Sequence, residues 1–240
     1  VENAEKHRPR LEAMLNSQRH RGPDDAGHFE CAVPGEPGCS WRLGHRRLAV
    51  IDLSPAAHQP MVDVRTGNTI VFNGEIYNFI DLRAQLESKG YHFTSRTDTE
   101  VVLSAYSYWG TSVVDHLRGM FALAIFDGAT GKVLLARDRL GEKPLYYCPR
   151  PAVPGIRFAF ASEVRALLAG RIVPRAIARS GLQTYVANGF VIGPTTLIEG
   201  VRLLDPGTAL IVDRDGSCRF HRFWEMPLHE FGHRSGNSSV

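Results

Sequence analysis

Phe72-Asn73-Gly74-Glu75-Ile76-Tyr77-Asn78 follows a short β-rich run over residues 69–72, and its reading governs how the rest of the chain is understood. Asn-Gly tolerates positive φ, so the dipeptide predicts a hairpin or strand-end turn that stops the run at Phe72. The same pair can serve chemistry. The Gly74 N–H and the Asn73 side-chain amide can both point at one developing oxyanion. Removing one such donor typically costs ~2.7–4 kcal/mol of barrier.

Upstream, residues 41–52 read as a strand ending in the apolar run Leu48-Ala49-Val50-Ile51, with Arg47 at its start. Arg47 reads most simply as a surface arginine on a strand, but its planar fork also suits bidentate capture of a carboxylate. His45 reads as a strand histidine with a local hydrogen bond. Downstream, Thr97-Asp98-Thr99-Glu100 has the S/T-x-x-E spacing of a capping box and opens a helix running through Trp109 to Gly110. Asp98 there complements the helix dipole. An acid so placed can also bind the α-ammonium of an amino acid.

Further out, residues 2–18 read as a helix with Leu11, Met14 and Leu15 on one stripe. A polar turn, Arg21-Gly22-Pro23-Asp24, and a Gly/Pro-rich loop around 34–38 follow. A helix is predicted over 79–89, stopped by Gly90. Strands are predicted at 120–126, 132–136, 144–148 and 157–161, then a helix over 163–169 capped by Ser162. A helix near 178–187 and strands at 208–213 and 218–224 complete the ordered part. Strand clusters interleaved with a few helices fit one layered α+β domain over 1–224, with 225–240 as a linker or tail.

The net charge of +3, from 28 basic and 25 acidic residues, is well mixed along the chain, which argues against a nucleic-acid partner. No run approaches the roughly 18 apolar residues of a membrane span, and no signal peptide is visible. The four cysteines, at 31, 39, 148 and 218, lack metal-type pair spacing and read as reduced structural thiols of a cytoplasmic protein. No phosphate-binding glycine loop is present. His229-Glu230-Phe231-Gly232-His233 fits H-E-x-x-H, but Pro227, Gly232 and Gly236 make a poor helix there, so no metal is assigned.

Taken with Arg19-His20-Arg21-Gly22-Pro23-Asp24 and Arg137-Asp138-Arg139-Leu140-Gly141, the opening stretch resembles the glutaminase half of glutamine-hydrolysing asparagine synthetase. The likeness runs from about Val1 to Trp224. It implies the N-terminal-nucleophile hydrolase fold, a four-layer αββα sandwich. It also implies a site in which Asn73 and Gly74 form an oxyanion hole and Arg47, Glu75 and Asp98 clamp the glutamine zwitterion. Arg19–Asp24 and Arg137–Gly141 are then architectural, the second as a salt-bridged turn. The implied partners are glutamine, an ATP- and Mg-dependent synthetase domain in the same or a partner chain, and a second copy of the domain in a homodimer. ATP and Mg belong to that absent domain, and this chain itself carries no cofactor.

In that family the nucleophile is the first residue, a cysteine, with its own α-amine as base. Here the first residue is Val1, with neither thiol nor hydroxyl. Two explanations compete. Either an opening strand bearing the cysteine precedes Val1, or the domain has abandoned hydrolysis and supports an amide-forming partner. A binding module for free amino acids would use the same clamp without chemistry.

Overall fold

The computed structural model describes residues 2–49 and 55–227. The element order is α1 (Glu2–Ser17), β1 (Asp25–Ala32), β2 (Ser40–Arg47), β3 (Met61–Val62), β4 (Thr69–Ile76), α2 (Phe79–Glu87), α3 (Asp98–Trp109) and α4 (Val113–His116). There follow β5 (Gly119–Phe126), β6 (Val133–Arg137), β7 (Tyr146–Cys148), β8 (Ala159–Ala161), α5 (Val164–Ala169), α6 (Arg179–Asn188), β9 (Arg202–Leu203), β10 (Thr208–Val212) and β11 (Cys218–Arg222).

An antiparallel six-stranded sheet, ordered β11-β10-β6-β5-β4-β3, forms the centre. Its strands β4, β5, β6 and β10 are largely apolar on both faces because both faces are covered there, whereas β11 at the edge is exposed. Strand alternation sends Ile70, Phe72 and Ile76 to one side, against Leu82 and Leu86 of α2 and Val101, Val102 and Ala105 of α3. Val71, Ala122, Ala124 and Leu135 face the other side, against Leu43 of β2 and Tyr147 of β7. The second layer is in two pieces, β1-β2 and β8-β7-β9. A third cluster, including Cys148, Ala161, Leu167 and the partly buried Met14, packs that layer under α1 and α5. The stack is helix, sheet, sheet, helix: the four-layer αββα sandwich expected.

Several local expectations change. β4 runs straight through Asn73-Gly74, because β5 pairs with it residue by residue, Asn73 opposite Ala122 and Gly74 opposite Phe121. Gly74 is required by proximity and not by a turn: a Cβ there would lie 2.1 Å from the Met120 carbonyl oxygen. β2 ends at Arg47, so Leu48 lies beyond it, and Val50 and Ile51 fall outside the described residues, as does the 229–233 motif. β1 was not anticipated.

The capping box forms by half. The Thr97 hydroxyl accepts the Glu100 N–H at 3.2 Å, but the Glu100 carboxylate turns to Thr94 and Ser95. α5 is preceded by Glu163, not Ser162, with no side-chain cap.

Candidate active site

The Arg19–Asp24 turn fixes the end of β2. Gly22 lies so close that a Cβ would meet the Arg46 carbonyl carbon at 2.3 Å. The Asp24 N–H donates to the Arg47 carbonyl at 3.1 Å, and the Asp24 carboxylate accepts the Ala49 N–H at 2.9 Å. Arg47 shares its face of β2 with the core residue Leu43 and is itself buried. Parity therefore turns Leu43, His45 and Arg47 inward, toward the face of β4 that carries Val71, Asn73 and Glu75. A bond from the His45 Nε2 to the Phe72 carbonyl at 3.0 Å ties the two strands together.

The edge of β4 explains the local chemistry. β3 pairs only with Thr69 and Ile70. Its main-chain ladder ends at Met61, opposite Ile70. Opposite Phe72 the missing strand is replaced by a side chain: Gln59 accepts the Phe72 N–H at 2.7 Å and donates to its carbonyl at 3.2 Å. At Ile76 it is replaced by Asp98, whose carboxylate accepts the N–H at 3.0 Å. Alternation sends the Gly74 N–H to the same edge, between those two. The Asn73 Nδ2 is buried and has no hydrogen-bond partner among the described residues. Such a donor is costly unless an acceptor arrives.

Charge is arranged unusually here. Burial pushes the Asp98 carboxyl up, opposed by the hydrogen bonds from Ile76 and Thr99, while neighbouring Glu75 adds to the rise. Burial drives His45 down to about 4, so it is neutral at physiological pH. Because a carbonyl can only accept, its proton sits on Nε2. Glu75 and Asp98 thus lie close enough to act on each other, while Asn73 lines a cavity whose lining includes none of Arg47, Glu75 and Asp98. Sequence reading missed Gln59 and assigned His45 no role; a lone Gln-Pro carries no signal of this kind.

A cavity of about 750 Å³ opens from Asn73 between β2 and β8, roofed by Leu11 and Leu15 of α1 and walled by Phe158 and Phe160. Among the described residues β2 pairs with β1 alone and β8 with β7 alone, so both cavity walls are sheet edges.

Of the cysteines, Cys39 also lines this cavity, at the other end of β2, and the remaining three do not line it. Cys31 pairs with Trp41 at the far end of β2. Burial raises its thiol to about 11, and also raises Cys148 and Cys218. Cys39 precedes β2, whose eight residues set it roughly 26 Å from Arg47 at about 3.3 Å per residue.

The Arg137–Gly141 loop is held by main-chain bonds instead of the salt-bridged turn expected. Arg137 donates to the carbonyls of Lys143 and Leu204 at 2.8 and 2.7 Å. Asp138 accepts the N–H groups of Phe121, Leu140, Glu142 and Lys143. Among the described residues no group of His, Cys, Asp or Glu is placed to hold a metal ion, and no helix is long and apolar enough to cross a membrane.

Comparison with known proteins agrees with this fold. The fold matches the glutamine phosphoribosylpyrophosphate amidotransferase of Bacillus subtilis, with a TM-score of 0.62 over 90% of this chain and 47% of that one, at 21% identity. The glutamine amidotransferase domain model matches residues 1–224, and the chain belongs to that family. It is 36% identical over 223 residues to asparagine synthetase [glutamine-hydrolyzing] 3 of Bacillus subtilis, covering 90% of this chain and 34% of the relative. It is 34% identical to amidase chry2 of Gibberella zeae, over 90% of this chain and 30% of that protein. The chain therefore spans about a third of the length of these relatives.

Proposed function

We propose that this domain hydrolyses glutamine to glutamate and ammonia, as the glutaminase part of an asparagine synthetase-like enzyme. The observation that carries the proposal is the buried, unpartnered Asn73 amide beside an edge-facing Gly74 N–H. In this reading Arg47 holds the glutamine α-carboxylate, and Glu75 and Asp98 hold its α-ammonium. A thiolate attacks the side-chain amide carbon, and the oxyanion that forms is held by Asn73 and Gly74. On collapse the α-amine of the nucleophile, which took the thiol's proton, passes it to the leaving nitrogen, so that ammonia departs and a glutamyl thioester remains, which water hydrolyses to glutamate and free thiol.

None of the four cysteines reaches this point. We assign the thiol to an opening strand outside these 240 residues, lying in the cavity between β2 and β8 and pairing with both edges. The ammonia then passes to an ATP- and Mg-dependent domain that amidates aspartate, in the cytoplasm. No residue of this chain is assigned to ATP or Mg.

Calorimetric titration of the chain with glutamine tests the pocket. Binding that is lost in Arg47→Ala and kept in a distant surface variant supports it; equal affinity in both removes the assignment. Mass and N-terminal sequencing of the natural protein test the thiol. A cysteine ahead of Val1, with ammonia release in that longer form, supports hydrolysis. A natural start at Val1 ends it.

A further inference from the structure

The Phe72 carbonyl is gripped from two directions. His45 reaches it from the second layer, donating through Nε2 at 3.0 Å, and the Gln59 side-chain amide donates from the strand edge at 3.2 Å. Gln59 also accepts the Phe72 N–H at 2.7 Å. At this rung side chains do what a neighbouring strand does elsewhere, and a carbonyl with two donors has both lone pairs engaged.

The meeting of the two donors depends on Gly27. It stands opposite His45 in the β1–β2 ladder, and a Cβ there would lie 2.2 Å from the Gln59 carbonyl oxygen. Bare backbone at this position lets the segment that carries Gln59 lie against the strand pair that carries His45.

The grip matters for the residue that follows. The Phe72 carbonyl and the Asn73 N–H share one planar peptide unit, so fixing the carbonyl fixes the plane from which the Asn73 side chain departs. The Asn73 Nδ2 has no hydrogen bond among the described residues to direct it. Its aim is therefore set through the backbone. The His45 ring suits a fixed grip, because its Nδ1 is buried without a partner among the described residues and burial keeps the ring neutral. One tautomer, with the proton on Nε2, serves.

We propose that His45 is a positioning residue: together with Gln59 it clamps the Phe72 carbonyl and so aims the Asn73 amide at the place where the oxyanion forms. His45 touches no reacting atom. The proposal rests on the glutaminase reading above and assigns that reading a residue to which the sequence gave no role.

The test compares two substitutions. A glutamine amide nitrogen can take the place of imidazole Nε2, whereas that of asparagine reaches only the place of Nδ1. In the longer form that carries the cysteine, His45→Asn should lower kcat for ammonia release by about tenfold or more, with KM for glutamine nearly unchanged. His45→Gln should keep kcat within roughly threefold of the parent. Because His45 acts through Asn73, adding His45→Asn to Asn73→Ala should cost little more than Asn73→Ala alone. Equal losses in the two His45 variants, or losses that multiply in the double variant, overturn the proposal.

A second readout is independent of hydrolysis. In amide NMR of the labelled 240-residue chain, the Asn73 side-chain pair should be single and sharp in the parent and in His45→Gln, and broadened or doubled in His45→Asn. An Asn73 pair alike in all three overturns the clamp. If His45→Asn does not fold, Gln59→Asn, which shortens the other arm, is read with the same outcomes. Absence of ammonia release from the unsubstituted longer form would count against the glutaminase reading, and the Asn73 signals would still decide the clamp.

Discussion

The two sheets of this domain solve the same packing problem to different degrees. The six-stranded sheet is finished: both faces are covered, and its interior strands β4, β5 and β6 are nearly all buried. The second layer is divided, with a cavity where its two pieces would meet. The contrast separates what holds the fold from what the fold offers. Stability is concentrated in the first sheet and the helices over it, and the reactive geometry lies on the boundary between the layers. Substitutions in the two regions are therefore expected to behave differently.

The largest effect is expected at Gly74→Ala. The added methyl meets main chain in β5, which cannot step aside, so an overpacking cost of several kcal/mol and a collapse of the thermal transition are expected. An unchanged melting temperature would show that the β4–β5 approach is loose.

The next compares the regions directly. Ile125→Ala, in the covered sheet, should cost about 2–5 kcal/mol by urea unfolding. Phe160→Ala, on the cavity wall and only partly buried, should cost far less, because much of its surface is already uncovered. Equal costs would mean that the second layer is as tightly packed as the first.

A middle-sized effect belongs to Gln59→Ala. It strands the buried Phe72 N–H and should cost about 1–3 kcal/mol, readable in the same unfolding experiment.

The smallest has the opposite sign. Burial raises Asp98, so the native state prefers its protonated form. That contribution is complete below the ordinary aspartate range and is lost as pH rises through the raised value. At neutral pH the ionised carboxylate therefore weighs against stability. Asp98→Asn keeps an oxygen for the Ile76 N–H, so its melting temperature should equal or slightly exceed the parent's at pH 7, with no gain at pH 3. Its glutamine affinity should fall at least tenfold.

Legibility in the sequence follows the same division. The strands of the first sheet announce themselves as apolar runs such as Phe121–Phe126 because both faces are buried. Helix α3 was visible because Thr97 supplies a genuine cap. β1 was not visible: in Asp25–Ala32 only Gly27 and Cys31 are buried, and a strand with one buried glycine and one buried cysteine has no apolar alternation to read.

The site was legible as a set of residue types but not as an arrangement. Asn73-Gly74 reads as a strand end because the dipeptide favours turns, whereas pairing with β5 overrides that preference. Asp98 opens α3, and only the packing of that helix beside β4 brings its carboxylate to the Ile76 N–H. Gln59 acts through a main-chain bond thirteen residues away, which no local pattern encodes. Leu182, Tyr185 and Val186 of α6 mislead differently: their spacing suits a core-facing helix, yet Gly181 is the buried residue and these three are exposed.

The brevity of β3 has a consequence for how such a site can be lost. Its two residues leave the outer rungs of β4 to be filled one at a time, by Gln59 at Phe72 and by Asp98 at Ile76. The rung between them belongs to Gly74. Were the chain before Met61 to continue alongside β4 in the register of β3, an ordinary strand would run along this edge and consume that N–H. The protein would gain hydrogen bonds and surrender the N–H proposed above to hold the oxyanion. Here a more complete sheet would be a less capable one.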